Sequence, residues 1–132
     1  MARSPESQVV HLDTHIVCWL YEGRPELLSA AARAAVEGGR LFVSPVVELE
    51  LQLLYEIGRI LKGPDPVLHA LAREVGLQVT TTVYRSVATA ACTLGWTRDP
   101  FDRLIVADAI LAGAKLVTKE RLIRKHCPTA VW

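Results

Sequence analysis

A three-layer α/β/α sandwich around a central, mostly parallel sheet is the fold class that the sequence predicts. Three observations carry this expectation. Short apolar runs of strand length alternate with longer stretches of helical periodicity. Glycine and proline punctuate them, at Gly38-Gly39, Gly63-Pro64 and Gly76, where breakers belong. Strands separated by helices rather than by tight hairpin turns imply βαβ units, and so parallel neighbours.

Each element has its own signal. The first strand is Val9–Leu12, closed by Asp13, and a helix over 14–21 begins at once with Ile16, Val17 and Leu20 on one face. The Ala-rich, amphipathic "PELLSAAARAAVEGG" predicts a helix over 26–37, and 41–43 is the second strand. "SPVVELELQLLYEIGRI" predicts a helix over 45–61, with Ser44 as N-cap and Pro45 in the first helical position. A helix over 65–75 runs to Gly76, followed by a strand over 77–80 and helices over 82–94 and 100–112. The last of these is opened by Asp99 as N-cap and Pro100. Lys115–Val117 is the fourth strand, Thr118 the natural N-cap of a helix over 119–126, and Ala130–Val131 the final strand.

Bulk properties narrow the function. The 132 residues suit one domain with a sizeable core, and 51% apolar with 22% charged residues is globular, not disordered. No run of eighteen apolar residues occurs, so no membrane span is expected. Residues 1–7, within "MARSPESQ", read as a flexible leader and not as a signal peptide. Cys18, Cys92 and Cys127 are odd in number and far apart, which suggests neither a disulfide frame nor a zinc site and fits a reducing cytoplasm. A formal charge of +1 argues against a broad duplex-coating surface. It leaves room for a nucleic-acid enzyme that holds phosphate through metal ions.

Four acids stand where acids need a reason. Asp13 ends the first strand; it is a good helix cap, yet ligands of open α/β sheets bind at carboxyl ends of strands. Glu50 sits amid Val46, Leu53, Leu54 and Ile57, whereas Glu48, Gln52 and Glu56 share the opposite, polar side. A glutamate is seldom buried alone, so either that face is partly open, an arginine pairs with it, or it has a function. Asp102 is an ordinary third-position acid at a helix start, but it shares a face with Ile105, Val106 and Ala109. For Asp99 capping is the favoured reading, with metal contact left open, and Asp108 is expected to meet solvent or Arg103. Glu120 lies in a first helical turn, which favours acids, and gains interest by following a strand end as Asp13 does. Clustered carboxylates repel unless something neutralises them. Mg²⁺ or Mn²⁺ takes oxygen ligands and does so, and such a site suits phosphodiester hydrolysis.

The pieces "HLDTHIVCWL", "VSPVVELELQLLYEIGRI", "RDPFDRLIVADAI" and "LVTKERLIR" occur in that order and cover most of 10–125. Together they resemble the PIN domain family, in particular its VapC-type toxin ribonucleases. The resemblance implies a PIN-like fold and a Mg²⁺- or Mn²⁺-dependent endoribonuclease that cleaves single-stranded or loop RNA. It also implies a homodimer and a VapB-type antitoxin partner. The family's acids, catalytic and metal-ligating, fall on Asp13, Glu50, Asp102 and Glu120. The fourth is commonly aspartate in the family, so Glu120 is a departure with a longer reach. Thr118 looks like the hydroxyl residue that often assists there.

Thr14, Thr118, Arg98 and Arg103 lie beside the acids and are the expected substrate contacts; for the arginines, and for Lys119 and Arg121, a solvated charge is the default. His11 and His15 flank Asp13, but no further His or Cys lies at ligand spacing, so both are expected to be ordinary histidines. Trp19, Trp96 and Trp132 are expected to pack rather than stack on bases. The Ala-rich helix either receives a partner's helix or closes the domain. Three rival readings stand beside the toxin. A receiver-like regulatory domain needs an acidic pair after the first strand and an acceptor after a middle one, which "LQVTTTVYRS" does not supply. The others are an inactive PIN-like binding module and a housekeeping RNA-processing nuclease.

Overall fold

The computed structural model describes residues 7–132, so the predicted leader lies, Ser7 apart, outside the described residues. The chain runs β1 (Val9–Leu12), α1 (Thr14–Tyr21), a 3₁₀ turn (Pro25–Leu27), α2 (Ala30–Gly38), β2 (Arg40–Val43), α3 (Pro45–Glu56) and α4 (Pro64–Val75). It continues through β3 (Gln78–Val79), α5 (Tyr84–Ala91), α6 (Pro100–Leu111), β4 (Lys115–Val117), α7 (Arg121–His126) and β5 (Ala130–Val131). The strands form one sheet in the order β3-β2-β1-β4-β5, and every pairing is parallel. Parallel pairing demands crossovers, which the helices supply. The α/β/α class predicted from alternation is what forms.

The topology decides where a site can be. From β1 the chain steps outward through β2 to β3, then returns to β4 on the other side of β1. That reversal is a topological switch point, where loops diverge and leave a crevice at the carboxyl ends. The two strands beside the crevice are β1 and β4, paired Leu12 to Val117, so the residues that follow them, Asp13 and Thr118, become neighbours. Leu12, Leu41, Val43, Leu116 and Val117 are buried to 1% exposure or less. Each such side chain contributes about 1.5–3 kcal/mol, which makes the strand ends a rigid platform. The tight entry to β2 needs Gly39: a Cβ there would meet Val10 Cγ2 at 2.4 Å and the Ala35 carbonyl oxygen at 2.9 Å.

Several boundaries differ from the sequence expectation, each for a local reason. The helix over 26–37 is two pieces, because Leu28 is extended and Ser29 caps a new start by accepting from the Ala32 N–H at 3.1 Å. The helix over 45–61 stops at Glu56, where Gly58 takes a left-handed φ of 77°. The helix over 82–94 shortens to Tyr84–Ala91. The strand expected over 77–80 pairs only at Gln78–Val79, although the Thr80 N–H still donates to the Val43 carbonyl at 2.9 Å. The last helix begins at Arg121 with Glu120, not Thr118, in the capping position.

The α3 stripe is also rotated. Val47 and Leu51 are its buried residues, while Leu53 and Ile57 are 39% and 67% exposed. Glu50 therefore rides on the rim of the buried face rather than in its middle. On α2, Ala32 and Val36 pack into the core, so the Ala-rich helix closes the domain with its apolar stripe.

Candidate active site

Asp13 takes the capping role that its position allows. Its backbone is extended, and its Oδ1 accepts the Thr14 N–H at 2.8 Å, which caps α1. Its Oδ2 accepts from the Thr118 hydroxyl at 2.7 Å, across the β1–β4 junction. The carboxylate is 4% exposed and has both oxygens held. Thr118 is fully buried and has a second task, since its Oγ1 accepts the Glu120 N–H at 3.0 Å. One hydroxyl thus links the first acid to the backbone of the fourth.

Thr14 plays a matching part for the second acid. It is fully buried, and its hydroxyl donates to Glu50 Oε1. Burial raises the Glu50 pKa; the Asp13 and Asp99 charges add to the rise, while the Thr14 hydrogen bond and His15 oppose it. Asp99 caps α6, its Oδ1 accepting the N–H groups of Phe101 at 2.8 Å and Asp102 at 3.2 Å.

Asp102 feels all of these groups together. Burial first, then the charges of Asp99, Asp13, Glu120 and Glu50, push its carboxyl up to about 7. Like charges raise a carboxyl's pKa, so each of these acids lies within electrostatic reach of Asp102. Asp13, Glu50 and Glu120 thus share a field with Asp102, and Asp99, for which the sequence favours a capping role, adds a fifth charge to it. Among the described residues no lysine or arginine forms an ion pair with any of the five. Nor do any three carboxylate, imidazole or thiolate groups there already close on one point as metal ligands.

A cavity of about 500 Å³ opens from this crevice, lined by Asp13, His15, Trp19, Lys119, Glu120, Arg121 and Arg124. Its cations come from the β4–α7 segment. Arg98 and Arg103, the arginines expected beside the substrate, are spent elsewhere on the backbone. Arg98 Nη1 donates to the Gly95 carbonyl at 2.9 Å, and Arg103 Nε donates to the Thr97 carbonyl at 2.8 Å.

Asp108 corrects one expectation outright. It is fully buried, not at solvent or beside Arg103, and accepts from the hydroxyls of Thr80 at 2.5 Å and Thr82 at 2.7 Å. It pins the β3–α5 connection to α6. No periodicity argument could have found this, because its partners are threonines more than twenty-five residues away. His11 is 2% exposed in the core, where burial lowers its pKa against the pull of Asp108.

Residues 10–127 match the sequence pattern of the PIN domain family. Ribonuclease VapC22 of Mycobacterium tuberculosis (strain ATCC 25618 / H37Rv) is 39% identical over 129 residues, spanning 93% of this chain and 98% of its own. A toxin–antitoxin complex from Klebsiella pneumoniae holds a chain of the same fold, with a TM-score of 0.68 at 20% identity, covering 93% of this chain and 96% of that one. VapBC2 from Rickettsia felis, bound to a DNA fragment from its promoter, gives 0.64 at 17% identity with the same coverages.

Proposed function

The chain belongs to the PIN domain family, and we propose that it is a Mg²⁺- or Mn²⁺-dependent endoribonuclease, cleaving single-stranded or loop RNA as the toxin of a toxin–antitoxin pair. What supports this reading is the family match together with four acids, Asp13, Glu50, Asp102 and Glu120, that lie within electrostatic reach of one another with no cation paired to them among the described residues. A receiver-like domain has no claim on a chain of this family. The relative named a ribonuclease, at 39% identity, favours a toxin over a housekeeping nuclease.

The donor set fits a hard divalent cation. All of its donors are carboxylate or hydroxyl oxygens, and magnesium keeps much of its water, needing only one or two carboxylates and the substrate phosphate. When bound, such an ion supplies an activated water and charge to offset that developing on the scissile phosphodiester. The protein's own part is positional. Thr118 fixes Asp13, Thr14 fixes Glu50, and both hydroxyls leave the carboxylate charge intact. Asp102 and Glu120 would complete the ligand set, and burial with the neighbouring charges keeps Asp102 protonated to about pH 7 until such an ion offsets them.

Two partners belong to the same reading. A VapB-type antitoxin suits an apolar cavity of about 510 Å³ lined by Cys18, Tyr21, Ile60, Leu61 and Val67, among others. A second copy of the chain suits the exposed Leu49 and Leu53 of α3 and Ile57 just beyond it, with Val83 and Tyr84. No helix of the described residues is long and apolar enough to cross a membrane, and the cytoplasm is the compartment proposed.

The test is cleavage of a fluorescent single-stranded RNA with Mg²⁺ or Mn²⁺, its abolition by EDTA, and its dependence on Asp13. Asp13→Asn keeps the cap and removes the charge, so activity should fall by orders of magnitude. Glu48→Gln, on the exposed side of α3, should leave it unchanged. A wild type that cleaves no RNA with any divalent ion would overturn the proposal.

A further inference from the structure

We propose that the cavity beside the acids is a strand-holding subsite, in which Trp19 stacks a base of single-stranded RNA while Arg121 and Arg124 take the phosphates flanking the cut. The inference rests on the ribonuclease reading above and names residues that sequence alone assigned to packing or solvation. Trp19 and His15 stand one turn apart on α1, their ring centroids 6.2 Å apart, and both line the cavity that Asp13 and Glu120 also line. Lys119 Nζ lies 5.8 Å from the Trp19 ring and 5.9 Å from the Trp132 ring, and the two indoles are 6.2 Å apart. This cluster holds the Trp19 ring at the cavity edge without burying it, since Trp19 is only half-buried.

The cations give the direction. Arg98 and Arg103 donate to backbone carbonyls, whereas the exposed side chains of Arg121 and Arg124, one turn apart on α7, make no hydrogen bond or ion pair among the described residues. They share a cavity with two carboxylates and pair with neither. Acids and uncommitted guanidiniums side by side suit a polyanion that meets metal-bearing carboxylates at one phosphate and arginines at its neighbours. An acidic peptide would meet Asp13 and Glu120 as like charges and has no such use for them. Aromatic stacking with phosphate-tracking cations is the physics of sequence-tolerant single-strand binding. A volume of about 500 Å³ lies within the range of small-ligand pockets and accommodates a nucleotide.

The experiment is steady-state cleavage by the full chain of an RNA carrying 2-aminopurine near the cut, together with binding of the same RNA to Asp13→Asn protein. The double variant Arg121→Gln/Arg124→Gln should raise KM about tenfold with kcat within about twofold. It should also flatten the dependence of log affinity on log salt by about 1.4, at about 0.7 for each phosphate released. Trp19→Leu should weaken binding about tenfold and remove the quenching of 2-aminopurine, and Trp19→Phe should restore most of both. Thermal melts check that each variant is folded; if Trp19→Leu is not, the arginine pair and Trp19→Phe still decide. Unchanged KM and salt dependence in an arginine double variant, with wild type cleaving normally, overturns the subsite alone. A wild type that neither binds nor cleaves RNA overturns the subsite and the ribonuclease reading together.

Discussion

Replacing Asp102 by asparagine should make the metal-free protein more stable at pH 8 and leave it no more stable at pH 4.5. Folded, Asp102 keeps its proton to about pH 7; unfolded, it loses it near the ordinary aspartate value of about 3.9. Between those values the unfolded chain binds fewer protons, so stability falls as pH rises. The penalty is absent below about pH 4 and complete above about pH 7. Taken at face value, at about 1.4 kcal/mol per tenfold, it would be about 4 kcal/mol. Asp102 is not fully buried, so solvent screening leaves about 1–2 kcal/mol. Against this, asparagine forfeits the helix-dipole attraction of an acid near the start of α6, about 0.3–1 kcal/mol. The cost of a buried charge, with repulsion added, wins at pH 8 by about 1 kcal/mol, a rise in Tm of about 3–5 °C for a chain of this size. At pH 4.5 most of that cost is gone and the variant should match or fall slightly below wild type. Thermal denaturation in EDTA at the two pH values measures both numbers. A variant equally destabilised at pH 8 and pH 4.5 would show Asp102 to be a helix-start acid and nothing more.

Other outcomes follow from the same contacts. Millimolar Mg²⁺ or Mn²⁺ should raise the Tm of wild type at pH 8 and do little for Asp102→Asn, since a ligand stabilises only the state that binds it; equal shifts would place the ion elsewhere. Asp108→Ala strands the Thr80 and Thr82 hydroxyls beside a cavity and should cost about 2–3 kcal/mol by urea titration, with cleavage intact wherever the protein remains folded. Gly39→Ala should cost about 2 kcal/mol or more, its Cβ falling within 2.4 Å of Val10 Cγ2, whereas Gly38→Ala meets nothing within 4 Å and should gain about 0.4–1 kcal/mol.

The fold was legible, and the four acids could be singled out as candidates, because each rests on a local signal. Strand-length apolar runs, Gly and Pro between them, and Asp or Ser before a helix are features of single windows of sequence. What escaped was set by partners distant along the chain. Asp108 looked like a surface residue because its helix neighbours say nothing of Thr80 and Thr82. The α3 stripe was misplaced because Leu53 and Ile57 are apolar without being covered, and composition cannot tell an interior leucine from one left at the surface. Arg98 and Arg103 lie near acids in sequence, but their guanidiniums reach backbone carbonyls exposed by the turn before α6.

The choice of threonine to hold the acids separates a binding site from a salt-bridged core. An arginine beside Asp13 would lower its pKa and fill the space and charge an ion requires. A buried hydroxyl donates one hydrogen bond, fixes the rotamer and leaves the negative charge uncompensated. Thr118 and Thr14 do this for Asp13 and Glu50, and after burial their charges add to the rise of the Asp102 pKa. Thr80 and Thr82 hold the fully buried Asp108 by the same chemistry. Hydroxyl-held acids are therefore not by themselves a site. Asp13, Glu50 and Glu120 differ from Asp108 in acting on another acid, since each adds to the rise of the Asp102 pKa and Asp108 does not.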